Sequence, residues 1–399
     1  MKPLNLVQIW RFAFLLLHLQ ARINVTIMIE RSIQKSIVSD YTRKKIIVLL
    51  GPRQVGKTTL LDALETAGSR CLRLNCDDID DAMLLENKSS TELKAMFSGY
   101  DMFFVDEAQR VKNIGLTLKK LGDLKLSTKI IVTGSSSLDL ANDINEPATG
   151  RLIEHTLYPF SMRELAEDSS EREQQRMLGN RLIYGLYPEV VTFPSDGART
   201  LMTIANNYLY KDILSYRGIK KPDILQKLVR ALALQLGAEV SYNELANMLG
   251  VDKETIENYI SLLEKCFVVF RLDSFSRNLR NEIKKGKKIY FYDNGIRNAV
   301  LSNFAPLDLR NDVGALWENF MVSERIKYNS YRGSYAQVYF WRTHDQKEID
   351  LVELENGIIN SYEFKWNTRR MPTIPSSFQA AYPEATYQVI TPENMWSFI

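Results

Sequence analysis

Cysteine is scarce: Cys71, Cys76 and Cys266 are the three in 399 residues. An odd, scattered set builds no disulfide framework and points to a reducing compartment. Histidine is equally rare, and His18, His155 and His344 lie far apart, which leaves too few ligands for a structural zinc site. An excess of one charge is missing too. Lys and Arg number 51 against 48 Asp and Glu, a formal net charge of +3. The chain is no polybasic nucleic-acid coat, so any such surface has to be a local patch. No apolar run reaches the ~20 residues of a membrane-spanning helix. With 45% hydrophobic and 25% charged residues, the composition excludes a disordered, collagen-like or coiled-coil chain. At roughly 100–200 residues per domain, the length predicts two to four domains.

Near the start, the apolar stretch Phe12–Leu17 stands behind Lys2 and Arg11. That pattern resembles a signal-peptide core. A nucleotide motif further on favours the cytoplasm instead, with residues 1–27 an extra amphipathic helix or an upstream extension and the natural start at Met28.

Residues 45–165 alternate helical patterns with the apolar runs Lys45–Leu50, Leu72–Asn75, Met102–Val105, Lys129–Thr133 and Leu152–Leu157. This alternation predicts an α/β fold with a parallel sheet covered on both faces. Gly51-Pro52-Arg53-Gln54-Val55-Gly56-Lys57-Thr58 matches G-x-x-x-x-G-K-[ST] in full, between a strand and a helix. The loop's backbone N–H groups and the helix N-terminus are suited to cradle phosphate. Lys57 is expected to reach the β- and γ-phosphates of ATP and Thr58 to ligate Mg²⁺, with Thr59 also among the nucleotide contacts.

About 50 residues on, Met102-Phe103-Phe104-Val105-Asp106-Glu107 reads as a buried strand that releases two carboxylates at its C-terminal end. Asp106 is expected to hold Mg²⁺ through water, and Glu107 to polarise the attacking water. The strand Lys129–Thr133 runs into Gly134-Ser135-Ser136-Ser137. Thr133 or Ser135 could sit between that water and the γ-phosphate, and a serine here could equally cap the next helix. Arg151 has two readings. It is an arginine finger, in cis or from a neighbouring copy in a homo-oligomer, contributing roughly 10³–10⁵ in rate. Or it is a surface arginine paired with Glu154.

With Ile29-Glu30-Arg31, Phe103–Arg110, Val132–Ser137, Gly150-Arg151 and Tyr158–Glu164 added, the chain resembles the AAA-related P-loop ATPases of bacteria and archaea. In that group a large domain of unknown function follows the ATPase. Gly185–Glu189, Tyr210–Ile213 and Lys288–Gly295 are similar to the group as well. The resemblance spans about residues 28–370. It implies an AAA-like core, a winged helix and a C-terminal restriction-endonuclease-like fold, and names no biological role. The expected domains are the extension 1–27, the ATPase core 28–170, a helical lid or linker 171–235, a winged helix 236–310 and an α/β restriction-endonuclease-like domain 311–399.

In the middle domain, Ser241-Tyr242-Asn243-Glu244 reads as a capping box and Asp252 as a second cap, with Gly250 between the two helices. The strands Phe267–Leu272 and Lys288–Tyr292 complete a wing. From Arg277 to Lys288 there are six basic residues, Arg277, Arg280, Lys284, Lys285, Lys287 and Lys288, against the single Glu282. Such a loop suits the phosphate backbone of DNA. The presumed recognition helix instead carries four acids, Asp252, Glu254, Glu257 and Glu264, against two lysines, which suits a protein partner.

Towards the C-terminus, Asn356-Gly357 predicts a hairpin between Glu348–Leu354 and Ile358–Trp366. Period-two alternation puts Glu363 and Lys365 on one face and Phe364 on the other. The hairpin can bring Asp350 beside them, and Glu318 can approach from its helix. An acid, then Asp, then Glu-x-Lys is the arrangement of restriction-like nucleases. Glu318, Asp350 and Glu363 would hold Mg²⁺ and Lys365 would activate water. The same residues also fit an amphipathic strand with no catalysis. Two roles follow: an ATPase acting on DNA with a live nuclease-like end, or an ATP-switched regulator or protein adaptor that cuts nothing.

Overall fold

Five strands, β1 (Ile46–Leu50), β2 (Cys71–Asn75), β3 (Met102–Asp106), β4 (Lys129–Gly134) and β5 (Leu152–Thr156), form a sheet in the order β2-β3-β4-β1-β5. Every neighbouring pair is parallel. Side-chain alternation feeds two cores, one on each face. Ile47, Leu49, Met102, Phe104 and Ile131 pack on one side, and Ile46, Val48, Phe103, Val105 and Val132 on the other. Because the strands run one way, their C-terminal ends share a single edge. The loops after β1, β3 and β4 gather there, and β4 lies between the other two.

The computed structural model describes residues 28–135, 150–207, 213, 221–276, 286–343, 345–367 and 371–399. Contacts divide the chain after Glu30, and residues 31–399 form one compact unit. The N-terminal extension, Ser136, Ser137, Tyr210–Asp212, most of the basic loop (277–285) and His344 lie outside the described residues. No helix among the described residues is long and apolar enough to cross a membrane.

The described residues between Met162 and Leu234 are mostly helical. Ser161 and Glu164 form a capping box for Met162–Asp168, and Pro188 and Pro222 occupy first turns of helices Pro188–Thr192 and Pro222–Leu234. Helices Tyr242–Leu249 and Lys253–Lys265 follow, the first capped by Ser241 and the second by Asp252, which accepts from Thr255 N at 2.7 Å.

A second, seven-stranded sheet has the order β12-β11-β10-β9-β7-β8-β6. Its strands are β6 (Glu239–Val240), β7 (Val269–Ser274), β8 (Lys287–Phe291), β9 (Gln337–Arg342), β10 (Glu348–Glu355), β11 (Ile358–Phe364) and β12 (Thr386–Ile390). The antiparallel pair β7–β8 is present, but β7 also pairs in parallel with β9. The expected wing is therefore the interior of a sheet that continues through the C-terminal segment. The Asn356-Gly357 turn joins β10 to β11 with both residues at positive φ, 53° and 82°, as a tight primed turn requires.

Candidate functional site

The loop after β1 wraps the N-terminus of helix Lys57–Leu64. A Cβ on Gly51 would lie 2.2 Å from the Leu157 carbonyl oxygen, so only glycine lets the loop leave the strand here. Lys57 is buried and its Nζ donates to the carbonyls of Gly51 and Pro52, both at 2.9 Å. Burial pulls its ammonium down to about 8, and the nearby Glu107 and Asp106 only partly oppose that. A buried cation held by neutral carbonyls fits an incoming polyphosphate. Arg31 braces the loop from behind. It donates to Val55 O at 2.9 Å, pairs with Glu164 at 3.1 Å and stacks on Phe160.

At the end of β3, Thr58 Oγ1 donates to Asp106 Oδ2 at 2.8 Å, and Thr133 donates to Asp106 Oδ1. Thr133 Oγ1 also accepts from Glu107 N at 3.2 Å. Thr133, fully buried, thus holds the Asp106 carboxylate and the Glu107 backbone. Ser135 stands further out and accepts from Gln109 Nε2 at 3.0 Å, while the same nitrogen donates to Glu107 Oε2 at 2.5 Å. Thr58 and Asp106 are the pair that would hold Mg²⁺.

A cavity of about 760 Å³ opens over the loop. Arg53, Gln54, Gly56, Lys57, Thr58, Thr59 and Glu107 line it on the ATPase side. Pro188, Glu189, Ile204 and Asn207 line it from the helical segment. Pro188 and Glu189 belong to the Gly185–Glu189 motif but were not expected at the nucleotide site, and Ile204 and Asn207 were not singled out, because nothing local ties the helical segment to a loop about 130 residues earlier.

Arg151 needs a correction. It precedes β5, and its carbonyl accepts from Ile46 N at the N-terminal end of the sheet. The phosphate loop follows the opposite end, five residues of β1 away, or about 17 Å at ~3.3 Å per residue. Arg151 Nε pairs with Asp123 at 2.6 Å. It cannot serve as a finger for its own site.

The expected C-terminal residues do approach one another. Carboxylate oxygens of Glu318, Glu348 and Asp350 lie within 4.8 Å of each other. Asp350 Oδ2 accepts from Phe364 N at 2.8 Å, and Lys365 Nζ donates to Glu363 Oε1 at 2.7 Å. Burial, then repulsion from Glu318 and Glu363, raises the Asp350 carboxyl well above the usual range. Glu348 was not singled out from sequence. Neither was the cation among these acids: Lys288, counted with the basic loop expected to meet DNA, is instead 1% exposed. Its ammonium pairs with Glu318 at 2.9 Å and with Glu348. Lys287 pairs with Asp273 at 3.6 Å.

Residues 43–166 match the family model of an AAA domain, residues 175–307 a domain of unknown function, DUF8612, and residues 313–395 another, DUF4143. An uncharacterised protein of Mycobacterium tuberculosis is 26% identical over 367 residues, covering 90% of this chain and 79% of that protein. One of Haemophilus influenzae is 26% identical over 333 residues, covering 77% and 79%. Among solved structures, the chain is similar to a Walker-type ATPase of Pyrococcus abyssi at 15% identity and a TM-score of 0.48, over 69% of this chain and 96% of that one. The loop, the β3 carboxylates and the family match together make residues 43–166 an AAA-type, P-loop ATPase-like domain.

Proposed function

We propose that the chain binds and hydrolyses ATP, and that turnover acts on the helical and C-terminal parts built around it. The observation that carries this reading is Glu107, a carboxylate at the wall of the cavity, beside the Thr58–Asp106–Thr133 chain of hydrogen bonds. A passive nucleotide-binding module needs no such base. Lys57 and the loop N–H groups bind the β- and γ-phosphates. Thr58 and Asp106 would hold Mg²⁺, which would supply positive charge to the phosphates. Glu107 orients the attacking water and takes its proton. Pro188, Glu189, Ile204 and Asn207 line the cavity from the helical segment, which ties the nucleotide site to that part of the chain. Lys57→Ala is expected to abolish tight ATP binding, and Glu107→Gln to keep binding and stop turnover. Phosphate release by Glu107→Gln at the parent rate would sink the reading.

A second reading concerns DNA. The close carboxylates of Glu318, Glu348 and Asp350, with Glu363 on the adjoining strand and Lys365 just after it, favour a Mg²⁺-dependent nuclease-like centre. The basic segment 277–287 would carry the DNA backbone. For a metal to enter, Lys288 has to give up Glu318 and Glu348. Plasmid nicking in Mg²⁺ and in Mn²⁺ tests this reading, with Asp350→Ala and Glu363→Ala expected inactive. Bound but uncut DNA under both metals would leave the ATP-switched regulator.

A further inference from the structure

Gln109 is a polar side chain bonded to Glu107 that the hydrolysis scheme leaves without a task. Glu107 has a left-handed backbone, φ 52°, and the 3₁₀ turn Ala108–Arg110 follows at once. This tight reversal returns Gln109 to the carboxylate two residues before it. Gln109 Nε2 then donates twice, to Glu107 Oε2 at 2.5 Å and to Ser135 Oγ at 3.0 Å. A carboxylate only accepts hydrogen bonds, so the amide nitrogen and not the oxygen must face Glu107. One of the two bonds holds Glu107, and the other ties Gln109 to the residue that follows β4.

We propose that Gln109, anchored by Ser135 at the end of β4, is a positioning residue that aims the Glu107 carboxylate at the attacking water. The proposal rests on the hydrolysis reading. In the step served, the water oxygen forms a bond to the γ-phosphorus, and the bond to the β–γ bridging oxygen breaks with its electron pair leaving on ADP. Glu107 takes one water proton and passes it to solvent. The other stays on the inorganic phosphate. Gln109 touches none of the reacting atoms. It limits the freedom of the Glu107 side chain to swing away, and the bond to Ser135, the residue after β4, limits the freedom of Gln109.

The test uses the full-length chain with ATP and Mg²⁺, comparing the parent, Glu107→Gln, Gln109→Met, Gln109→Glu and Ser135→Ala. Gln109→Met keeps the shape and loses both donors. It is expected to lower kcat about 10–100-fold, a portion of what a general base supplies, with KM and the Kd of a fluorescent ATP analogue within about twofold of the parent. Gln109→Glu is isosteric but sets a like charge against Glu107, so it is expected to be no better than Met. In the Glu107→Gln background, Gln109→Met is expected to change residual turnover by less than about twofold, because both residues act on one water. Ser135→Ala, a milder change that keeps the measurement open if Gln109→Met does not fold, is expected to lower kcat several-fold at unchanged KM. A live parent and a dead Glu107→Gln with Gln109→Met or Ser135→Ala at the parent kcat would overturn the proposal and leave the hydrolysis reading intact. So would equal losses in kcat and nucleotide affinity, the mark of general disorder. No turnover by the parent would overturn both.

Discussion

Replacing Lys288 by Met tests how the C-terminal carboxylates are held. The ammonium is 1% exposed and bonds Glu318 at 2.9 Å and Glu348. Removing one partner of a buried ion pair costs about 3–5 kcal/mol, because the remaining charges stay buried without compensation. The structure places Lys288→Met at the low end of that range. Glu318 keeps the Tyr290 hydroxyl at 2.6 Å, Glu348 keeps Arg342 at 3.6 Å, and both acids retain some exposure, 15% and 27% of their side chains. About 3 kcal/mol is expected. Four of the five tryptophans, Trp317, Trp341, Trp366 and Trp396, lie in the C-terminal part. Urea unfolding followed by tryptophan fluorescence therefore reports the right region. The three acids left behind then attract a divalent ion. Mn²⁺ at about 100 times its Kd would return about 2.7 kcal/mol to the variant and much less to the parent, whose lysine competes. A variant within about 1 kcal/mol of the parent, or one that gains nothing from Mn²⁺ beyond the parent, would refute this reasoning.

Asp350→Asn probes the same cluster by pH. Burial and two neighbouring acids raise the Asp350 carboxyl in the folded chain, whereas the unfolded group ionises near ~4. Its contribution to stability is then complete below about pH 4 and is lost as pH rises through the folded value. In metal-free buffer, Tm of Asp350→Asn should exceed that of the parent increasingly from pH 4 to pH 8, and a constant difference would count against this. Arg151→Ala should leave ATP turnover within about twofold, since its contact with Asp123 is a partly exposed pair at the far end of the sheet. A thousandfold loss would show that a neighbouring copy uses it. Gly51→Ala should lower ATP affinity more than tenfold in a fluorescent-analogue titration, because the added Cβ cannot share space with the Leu157 carbonyl.

What could be read from sequence was local. The phosphate loop, the β3 carboxylates and the Asn356-Gly357 turn each depend on a few adjacent residues whose backbone needs are specific. The joining of β7 to β9 brings Asp273 beside Tyr339, and no short-range signal encodes that pairing. The fate of Lys288 followed from it. Among basic neighbours a lysine reads as solvated, and only the assembled sheet shows three acids beside it. Arg151 could have been placed correctly. A residue just before a parallel strand lies at the end opposite a loop that follows such a strand. Gln109 could have been noticed as well, since a polar side chain two residues beyond a candidate base lies within reach if the chain turns back.

The 19-residue helix Val313–Tyr331 is about 28 Å long at 1.5 Å per residue. Near its start it offers Glu318 to Lys288. Towards its end, Glu324 accepts from Met162 N at 2.7 Å, Lys327 donates to Phe160 O at 2.9 Å, and the Tyr331 hydroxyl accepts from Tyr158 N at 3.2 Å. The main chain leaving β5 therefore has its polar groups satisfied by residues some 160 positions later. Dissection along the family boundaries would cut through these bonds. A fragment ending near residue 310 would expose or orphan the amides of Tyr158 and Met162 and the carbonyl of Phe160, just behind the arginine that braces the phosphate loop. The three segments can be told apart as sequence, yet none carries its own complete set of hydrogen bonds, so the chain is to be expressed, and its nucleotide affinity measured, as a whole.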